Sequence, residues 1–241
     1  MSTSICFDFG NTRLKAAIFI NKELAEVRVL ANANMDSLQA LLDEIKPDQT
    51  ILSSVIHHDK AIESLLAKET SFHLLGPSTL LNFTTPVGKP ETIGADRLAL
   101  VAAAVDIYPH QHNLVISLGT CITYNFVNID HEFLGGSISP GMQMRFRAMH
   151  EQTALLPLIE ASNEFTLVGY DTKTNLLSGV ILGISAEIDG IIESYQLKYG
   201  NFNVLLTGGD ISYFVPHIKK RIFADQNLIY IGIFAFCKKN N

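Results

Sequence analysis

The sequence predicts an α/β protein of two related lobes, each a mixed sheet with flanking helices. Three observations carry that expectation. The stretch from Ile5 to Phe19 is an apolar run broken once, at a turn holding an acid, a glycine, and amide and hydroxyl groups, so one strand enters and a second leaves. The same pattern returns between Leu114 and Val127, where Gly119 stands to Ser117 as Gly10 stands to Asp8, 109 residues further on. An echo at nearly half the chain length points to two lobes, taken as 1–109 and 110–241, and not to a short-period solenoid. Finally, three strands followed by alternating helix and strand describe a mixed sheet in the first half.

The first hairpin carries chemistry as well as shape. Gly10 and Asn11 are residue types that accept positive φ, which would aim the N–H groups near Asn11, Thr12 and Arg13 at one spot suited to phosphate. Asp8 would repel a bare phosphate but would hold a water or a Mg²⁺ that neutralises one. Lys15 adds a positive charge beside it.

Composition narrows the class. A hydrophobic content of 47% over 241 residues supports a sizeable core. A net charge of −6 argues against a nucleic-acid footprint, which is normally basic. The three cysteines, Cys6, Cys121 and Cys237, are widely separated, so a reducing cytoplasm fits better than a disulfide framework or a zinc site. The expected chain has neither a secretory signal nor a membrane span.

Taken in order, Leu24 to Leu30 reads as a third strand after a turn at Asn21-Lys22. Asp36 is the expected cap of a helix through Leu38, Leu41, Leu42 and Ile45, which Pro47 stops. A buried strand follows from Thr50 to Val55, a helix from Asp59 to Lys68, and a short strand from Phe72 to Leu75. His57-His58 reads as a surface turn, because adjacent side chains on a strand end diverge. The segment from Leu80 to Thr92 reads as a loop leading into a helix through Leu98 to Val105.

Asp96 and Arg97 fall in the first turn of that helix, just after Gly94. An acid there meets orphan N–H groups and the positive dipole end, which lower a carboxylate pKa in general; it serves either as a cap or as a base taking a proton from a hydroxyl. Beyond the second hairpin, Gly135, Gly136, Pro140 and Gly141 mark close backbone approach and a helix starting near Met142, ending at Ala154 to Pro157. A long helix from Thr174 to Tyr199 has apolar residues at steps of three and four. Its small residues Gly179, Gly183, Ser185 and Ala186 leave it either central to the lobe or part of a dimer interface. Val204 to Asp210 is the last expected strand, with Gly208 and Gly209 at its carboxyl end, where α/β sheets admit nucleotides. The apolar tail from Leu228 reads as a helix completing the core. No P-loop motif is present in the sequence.

The motifs Asp8 to Lys15, Gly94 to Arg97, Gly119 to Thr123, Gly135 to Gly141 and Thr207 to Gly209, in this order and spacing, resemble those of the type III pantothenate kinases. That resemblance implies an actin-like (ribonuclease H-like) fold of two duplicated lobes with ATP in the cleft between them, and ATP-dependent phosphorylation of pantothenate at the first step of coenzyme A synthesis. It also implies a cytoplasmic homodimer using Mg²⁺ and a monovalent cation, K⁺ or NH₄⁺. Carried over by position, Asp8, Phe9, Gly10, Asn11, Thr12, Arg13, Leu14 and Lys15 would surround the ATP phosphates together with Thr120, and Gly208 and Gly209 would lie by the adenosine. Asp96 would be the general base, and Val87, Gly94, Ala95, Arg97 and Thr172 would line the pantothenate site. Asp8 and Ser117 occupy the metal positions.

Three positions depart from the family pattern. Ser117 stands where an aspartate normally holds the monovalent cation, Asn125 where an acid closes the next strand, and Val87 where a tyrosine lines the substrate pocket. A weak or inactive regulatory paralogue, or a kinase for another small hydroxylated acid or sugar, are the competing readings these departures leave open.

Overall fold

The computed structural model describes residues 2–32, 34–76 and 78–237. Its first sheet opens with a meander of β1 (Thr3–Phe9), β2 (Leu14–Ile20) and β3 (Glu23–Leu30), paired antiparallel. Asn21 and Lys22 both take positive φ, 51° and 73°, the two-residue turn whose twist matches that of the strands it joins. Helix α1 (Met35–Ile45) follows, capped by Asn34 and not Asp36: the Asn34 side chain accepts from the Ser37 N–H at 2.8 Å, leaving Asp36 in the first turn. It ends at Lys46, whose left-handed φ of 51° precedes Pro47. Strand β4 (Gln49–Ser54), helix α2 (Lys60–Glu69) and strand β5 (Ser71–Leu74) complete the order β3-β2-β1-β4-β5, with β1, β4 and β5 parallel. Helix α3 (Ala95–Ile107) closes this half.

The second half repeats the plan. Strands β6 (Asn113–Leu118), β7 (Cys121–Val127) and β8 (Phe133–Pro140) lead through α4 (Met142–Glu151) and α5 (Thr172–Tyr199) to β9 (Asn203–Thr207). Helix α6 (Ile211–Phe214), strand β10 (Phe223–Ala224) and helix α7 (Leu228–Cys237) follow. The sheet order β10-β9-β6-β7-β8 matches the first sheet strand for strand, with β6 and β9 parallel as β1 and β4 are. The duplication read from two hairpins therefore extends to all ten strands.

The alternation along β1 sorts the first sheet into two faces. Ile5, Phe7 and Phe9 point to one side and pack with Leu38, Leu41, Leu42, Ile62, Leu65 and Leu66 of α1 and α2. Ser4, Cys6 and Asp8 point to the other. There Phe19, the cross-strand partner of Ser4, stacks on Phe234 of α7 with ring centroids 4.2 Å apart, and Cys6 meets Cys237. Helices α3 and α7 pack closely enough that a Cβ at Gly232 would stand 1.8 Å from the Ala99 carbonyl oxygen, so only glycine fits.

The chain divides into two compact units along this packing. One unit takes the described residues of Met1–Pro109, His131–Phe133 and Asn227–Asn241, and the other takes His110–Asp130 and Leu134–Gln226. Helix α7 thus belongs with the first sheet, whereas the expected division at 110 put the tail with the second. Its sequence, Leu-Ile-Tyr-Ile-Gly-Ile-Phe-Ala-Phe-Cys, is apolar nearly all round, and the second face of the first sheet together with α3 can cover it on opposite sides. The basic end of the tail, 238–241, lies outside the described residues. Residues 131–133 join the first unit because Thr84 bridges Glu132 and the Thr85 hydroxyl donates to the Phe133 carbonyl at 3.0 Å. The segment expected as loop from 80 to 92 is therefore anchored, and it holds a 3₁₀ turn at Pro90–Thr92.

In the second unit α5 is the core helix. It alone among the described residues has the length and composition to cross a membrane, and half of that stretch is buried. Its start is fixed by a reciprocal cap, Asp171 accepting from the Thr174 N–H at 2.7 Å. Helix α4 stops at Glu151, short of the expected Pro157. Arg145 of α4 pairs with Glu187 of α5, which also accepts from the Tyr124 hydroxyl at 3.0 Å, tying β7, α4 and α5 together. The closeness expected at Gly135-Gly136 is to the protein's own sheet: a Cβ at Gly136 would stand 1.9 Å from the Tyr124 carbonyl.

Candidate active site

Asp8 is the penultimate residue of β1 and faces the α3 and α7 side of the sheet. Three groups surround it for separate structural reasons. Lys15 is its cross-strand partner on β2, so both side chains emerge on the same face. Ser53 is its neighbour in the parallel pair with β4, and the Ser53 hydroxyl is buried without a hydrogen-bond partner. Asp96, in the first turn of α3, lies near enough that its charge opposes ionisation of Asp8. Burial is the larger effect and pushes the Asp8 carboxyl up to about 6, against the pull of Lys15.

Asp96 differs from the expectation for an acid at a helix start. Its carboxyl is raised, because burial outweighs the Arg97 N–H, which donates to Oδ1 at 2.8 Å, and the Arg97 guanidinium. Gly94 caps the helix with no side chain, and a Cβ there would stand 2.5 Å from Asp96 Oδ1, so glycine leaves the carboxylate its place. Ala95 is the first residue of α3. The Arg97 guanidinium lies 5.6 Å from the centre of the buried Phe133 ring. Val87 sits in the anchored segment, its N–H donating to the Thr85 hydroxyl at 3.2 Å.

The turn between β1 and β2 is built differently from the expected nest. Neither Gly10 nor Asn11 has positive φ; the Gly10 N–H donates to the Arg13 carbonyl at 3.2 Å, which closes the turn in ordinary conformations. Asn11, Thr12 and Arg13 are exposed at its tip. Phe9 is fully buried and Leu14 packs against the same core, so both can meet a ligand only through their backbone. His57 is exposed as expected of a surface turn, but His58 is tucked in. Its Nδ1 is 3.0 Å from the Ser54 hydroxyl, its Nε2 is 3.0 Å from Glu63, and its ring meets Phe9 edge-on.

The second unit holds the remaining expected residues. Ser117 lies on β6 between Thr123 of β7 and Thr207 of β9, whose hydroxyl is buried and unpartnered. Asn125 is fully buried, its amide donating to the Val115 carbonyl at 3.3 Å and to the Thr123 hydroxyl at 3.2 Å. Thr120 is exposed at the hairpin tip. Two glycines crowd that hairpin: a Cβ at Gly141 would be 2.1 Å from the Gly119 carbonyl, and one at Gly208, at φ +107°, would be 2.1 Å from the Leu118 carbonyl. Gly209 is open. Thr172 is exposed at the first position of α5.

The model of the type III pantothenate kinase family matches residues 4–194. The chain belongs to the type III pantothenate kinases. Among relatives, the type III pantothenate kinase of Christiangramia forsetii is 39% identical over 95% of this chain and 96% of that protein. The one from Cytophaga hutchinsonii is 40% identical over 95% and 96%. Among solved structures, a protein of Campylobacter jejuni described as a Baf family transcriptional activator covers 98% of both chains with TM-score 0.63 and 24% identity. A Cytophaga hutchinsonii protein described as a sugar kinase covers 99% of this chain and 100% of that one, with TM-score 0.52 and 13% identity. These two likenesses establish the fold, which is actin-like. As a pantothenate kinase the protein phosphorylates pantothenate at the expense of ATP, opening coenzyme A synthesis, and it uses a divalent metal ion. The non-catalytic alternative finds no support in these matches.

The first unit fits such an ion. Asp8 is a partly buried carboxylate with the orphaned Ser53 hydroxyl in register beside it, and the charge of the partly buried Asp96 opposes its own. No cluster of three or more His, Cys, Asp or Glu exists among the described residues. The Asp8 carboxylate suits magnesium, which takes one or two carboxylates and completes its shell with phosphates and water.

The raised Asp8 carboxyl makes a stability prediction for the ligand-free kinase. An unfolded aspartate ionises near pH 3.9. The folded one holds its proton to about pH 6, so folding loses stability as pH rises from the lower value to the higher, and the loss is constant above. Two pH units correspond to at most about 3 kcal/mol. Asp8→Asn is therefore expected to be more stable than the unsubstituted protein at pH 7.5, with the advantage fading as pH falls from 6 to 4. Urea unfolding at stepped pH measures it; an advantage that ignores pH would remove the buried charge as its cause.

Proposed function

We propose that phosphoryl transfer is carried out by groups gathered on the α3 and α7 face of the first sheet. Asp8 holds the divalent ion that accompanies ATP. Lys15 and the turn of Phe9, Gly10, Asn11, Thr12, Arg13 and Leu14 steady the phosphates, the last through backbone as well as side chains. Thr120, Gly208 and Gly209 serve ATP from the second unit's hairpin and strand end. Asp96 is the base, Arg97 pairs with the pantothenate carboxylate, and Val87, Gly94, Ala95 and Thr172 shape the pantothenate site. One observation carries this reading: two separate elements, the end of β1 and the start of α3, bring Asp8 and Asp96 within electrostatic reach of each other.

The chemistry asks little of the protein beyond alignment and charge. The divalent ion bound with ATP offsets the negative charge spread over the transferring group. Asp96 Oδ1 is engaged by the Arg97 N–H, which orients the carboxylate that receives the proton of the acceptor hydroxyl. The pantothenate primary hydroxyl is too weak an acid to ionise first, so its proton passes to Asp96 late, as the bond to phosphorus forms. The burial that raises the Asp96 carboxyl also makes it a better proton acceptor at that moment. Arg97, with its guanidinium over the Phe133 ring, supplies a fixed cation for the substrate carboxylate.

Two finer features belong to the same reading. Ser117 is flanked by the hydroxyls of Thr123 and Thr207, an all-neutral set, so activity depends weakly on K⁺ or NH₄⁺. The kinase is a cytoplasmic homodimer that pairs through α5: Gly179, Gly183, Ala186 and Gly190 form an exposed stripe, with open space where each glycine's Cβ would lie.

Asp96→Asn is expected to lower kcat by about a hundredfold to ten-thousandfold. ATP affinity by calorimetry should stay within about twofold, since the substitution spares the phosphate-binding turn. Near-normal turnover would take the base role from Asp96. For the cation, ADP release in sodium and in potassium buffers should differ less than about twofold in the unsubstituted protein, and Ser117→Asp should create a potassium requirement. Strong potassium activation without the substitution would overturn the neutral-site reading. Gly183→Arg should shift the mass seen by sedimentation from dimer to monomer; an unchanged dimer would move the interface elsewhere.

A further inference from the structure

Tyr230 lies in the first turn of α7 and is 2% exposed. The Lys15 ammonium stands 5.8 Å from the centre of its ring. Its hydroxyl is held in the protonated form by burial and by the nearby Asp8 carboxylate. The helix that carries it is fixed on two sides. Gly232, two residues on, is pressed against the Ala99 carbonyl of α3, the helix that begins with Asp96 and Arg97. One turn after Tyr230, Phe234 stacks on Phe19 of β2, the strand that carries Lys15, at 4.2 Å and nearly parallel.

We propose that Tyr230 is a positioning residue for ATP: its ring seats the Lys15 ammonium beside Asp8, so the carboxy-terminal helix sets where that cation meets the phosphates. This rests on the assignment of Lys15 to the phosphates made above. A long, flexible lysine held only by solvent would lose rotamer entropy on every binding event. A ring beneath it removes part of that loss in advance. A leucine at 230 fills the core but offers no π face.

The test is a double-mutant cycle in steady-state kinetics with ATP and pantothenate. Tyr230→Leu is expected to raise KM for ATP about three- to tenfold, with kcat and KM for pantothenate within about twofold, and Tyr230→Phe to restore most of the loss. Lys15→Met should raise KM for ATP by itself, and Tyr230→Leu should then add less than about 1.5-fold in that background. If Lys15→Met raises KM and Tyr230→Leu does not, the positioning role is overturned while the Lys15 assignment stands. If Lys15→Met has no effect, the assignment falls and the positioning role with it. A full Tyr230→Leu effect in the Lys15→Met background also overturns the proposal, because the loss then comes from core packing. Should Tyr230→Leu fail to fold, Tyr230→Met, which keeps a longer side chain, runs the same cycle with the same outcomes.

Discussion

The two-residue alternation of β1 is the constraint on which the site depends. A strand buried on both faces has to send successive side chains to opposite layers, and β1 divides accordingly: Ile5, Phe7 and Phe9 to α1 and α2, Ser4, Cys6 and Asp8 to α3 and α7. Because Asp8 is the last even position, it emerges where the α3 and α7 layer begins to open, next to the first turn of α3. A slip of one residue in register would bury the carboxylate among Leu38, Leu41 and Leu66 and turn Phe9 to the α3 and α7 side. The apolar mass of Phe7 and Phe9 pins that register, so the packing of the opposite face decides where the chemistry sits.

Much of this was legible in the sequence because it is local. The hairpins at Gly10 and Gly119, the period of α5 and the helix starting at Asp59 are written within a few residues, and the structure follows them. What the sequence did not disclose is non-local. The partner of α7 is chosen by which sheet face still needs covering, and that depends on residues more than a hundred positions away. Tyr230 and Ser53 are invisible as neighbours of Asp8 for the same reason: one comes from the last helix, the other from a parallel strand whose register no local pattern fixes. The Asp96 carboxyl was misjudged because a helix N-terminus can be read from sequence, whereas the burial that outweighs it cannot.

The second sheet uses the same topology with different chemistry. Where Asp8 stands at the end of β1, Ser117 stands at the end of β6, between threonines and not beside a lysine and a second acid. The glycines at 141 and 208 hold this hairpin in shape without such charges: each admits a backbone carbonyl of the 118–119 segment at a distance no side chain permits. Duplication fixed the backbone frame twice, and the ionisable groups were kept in one copy.

Concentrating them has a cost that function recovers. Two partly buried carboxylates near each other weaken the free protein at neutral pH, and the unpartnered Ser53 hydroxyl adds to the same deficit. Under the roles proposed above, that deficit lies where ATP and its divalent ion would deliver opposite charge and hydrogen-bond partners. Whatever binds only the folded chain adds its own free energy to folding, so a ligand of opposite charge at these carboxylates stabilises the protein. The tight seam between α3 and α7, glycine against carbonyl, fixes where α3 stands against the helix packed on it. A looser seam would let Asp96 drift away from Asp8 and relax the repulsion by movement instead of by binding.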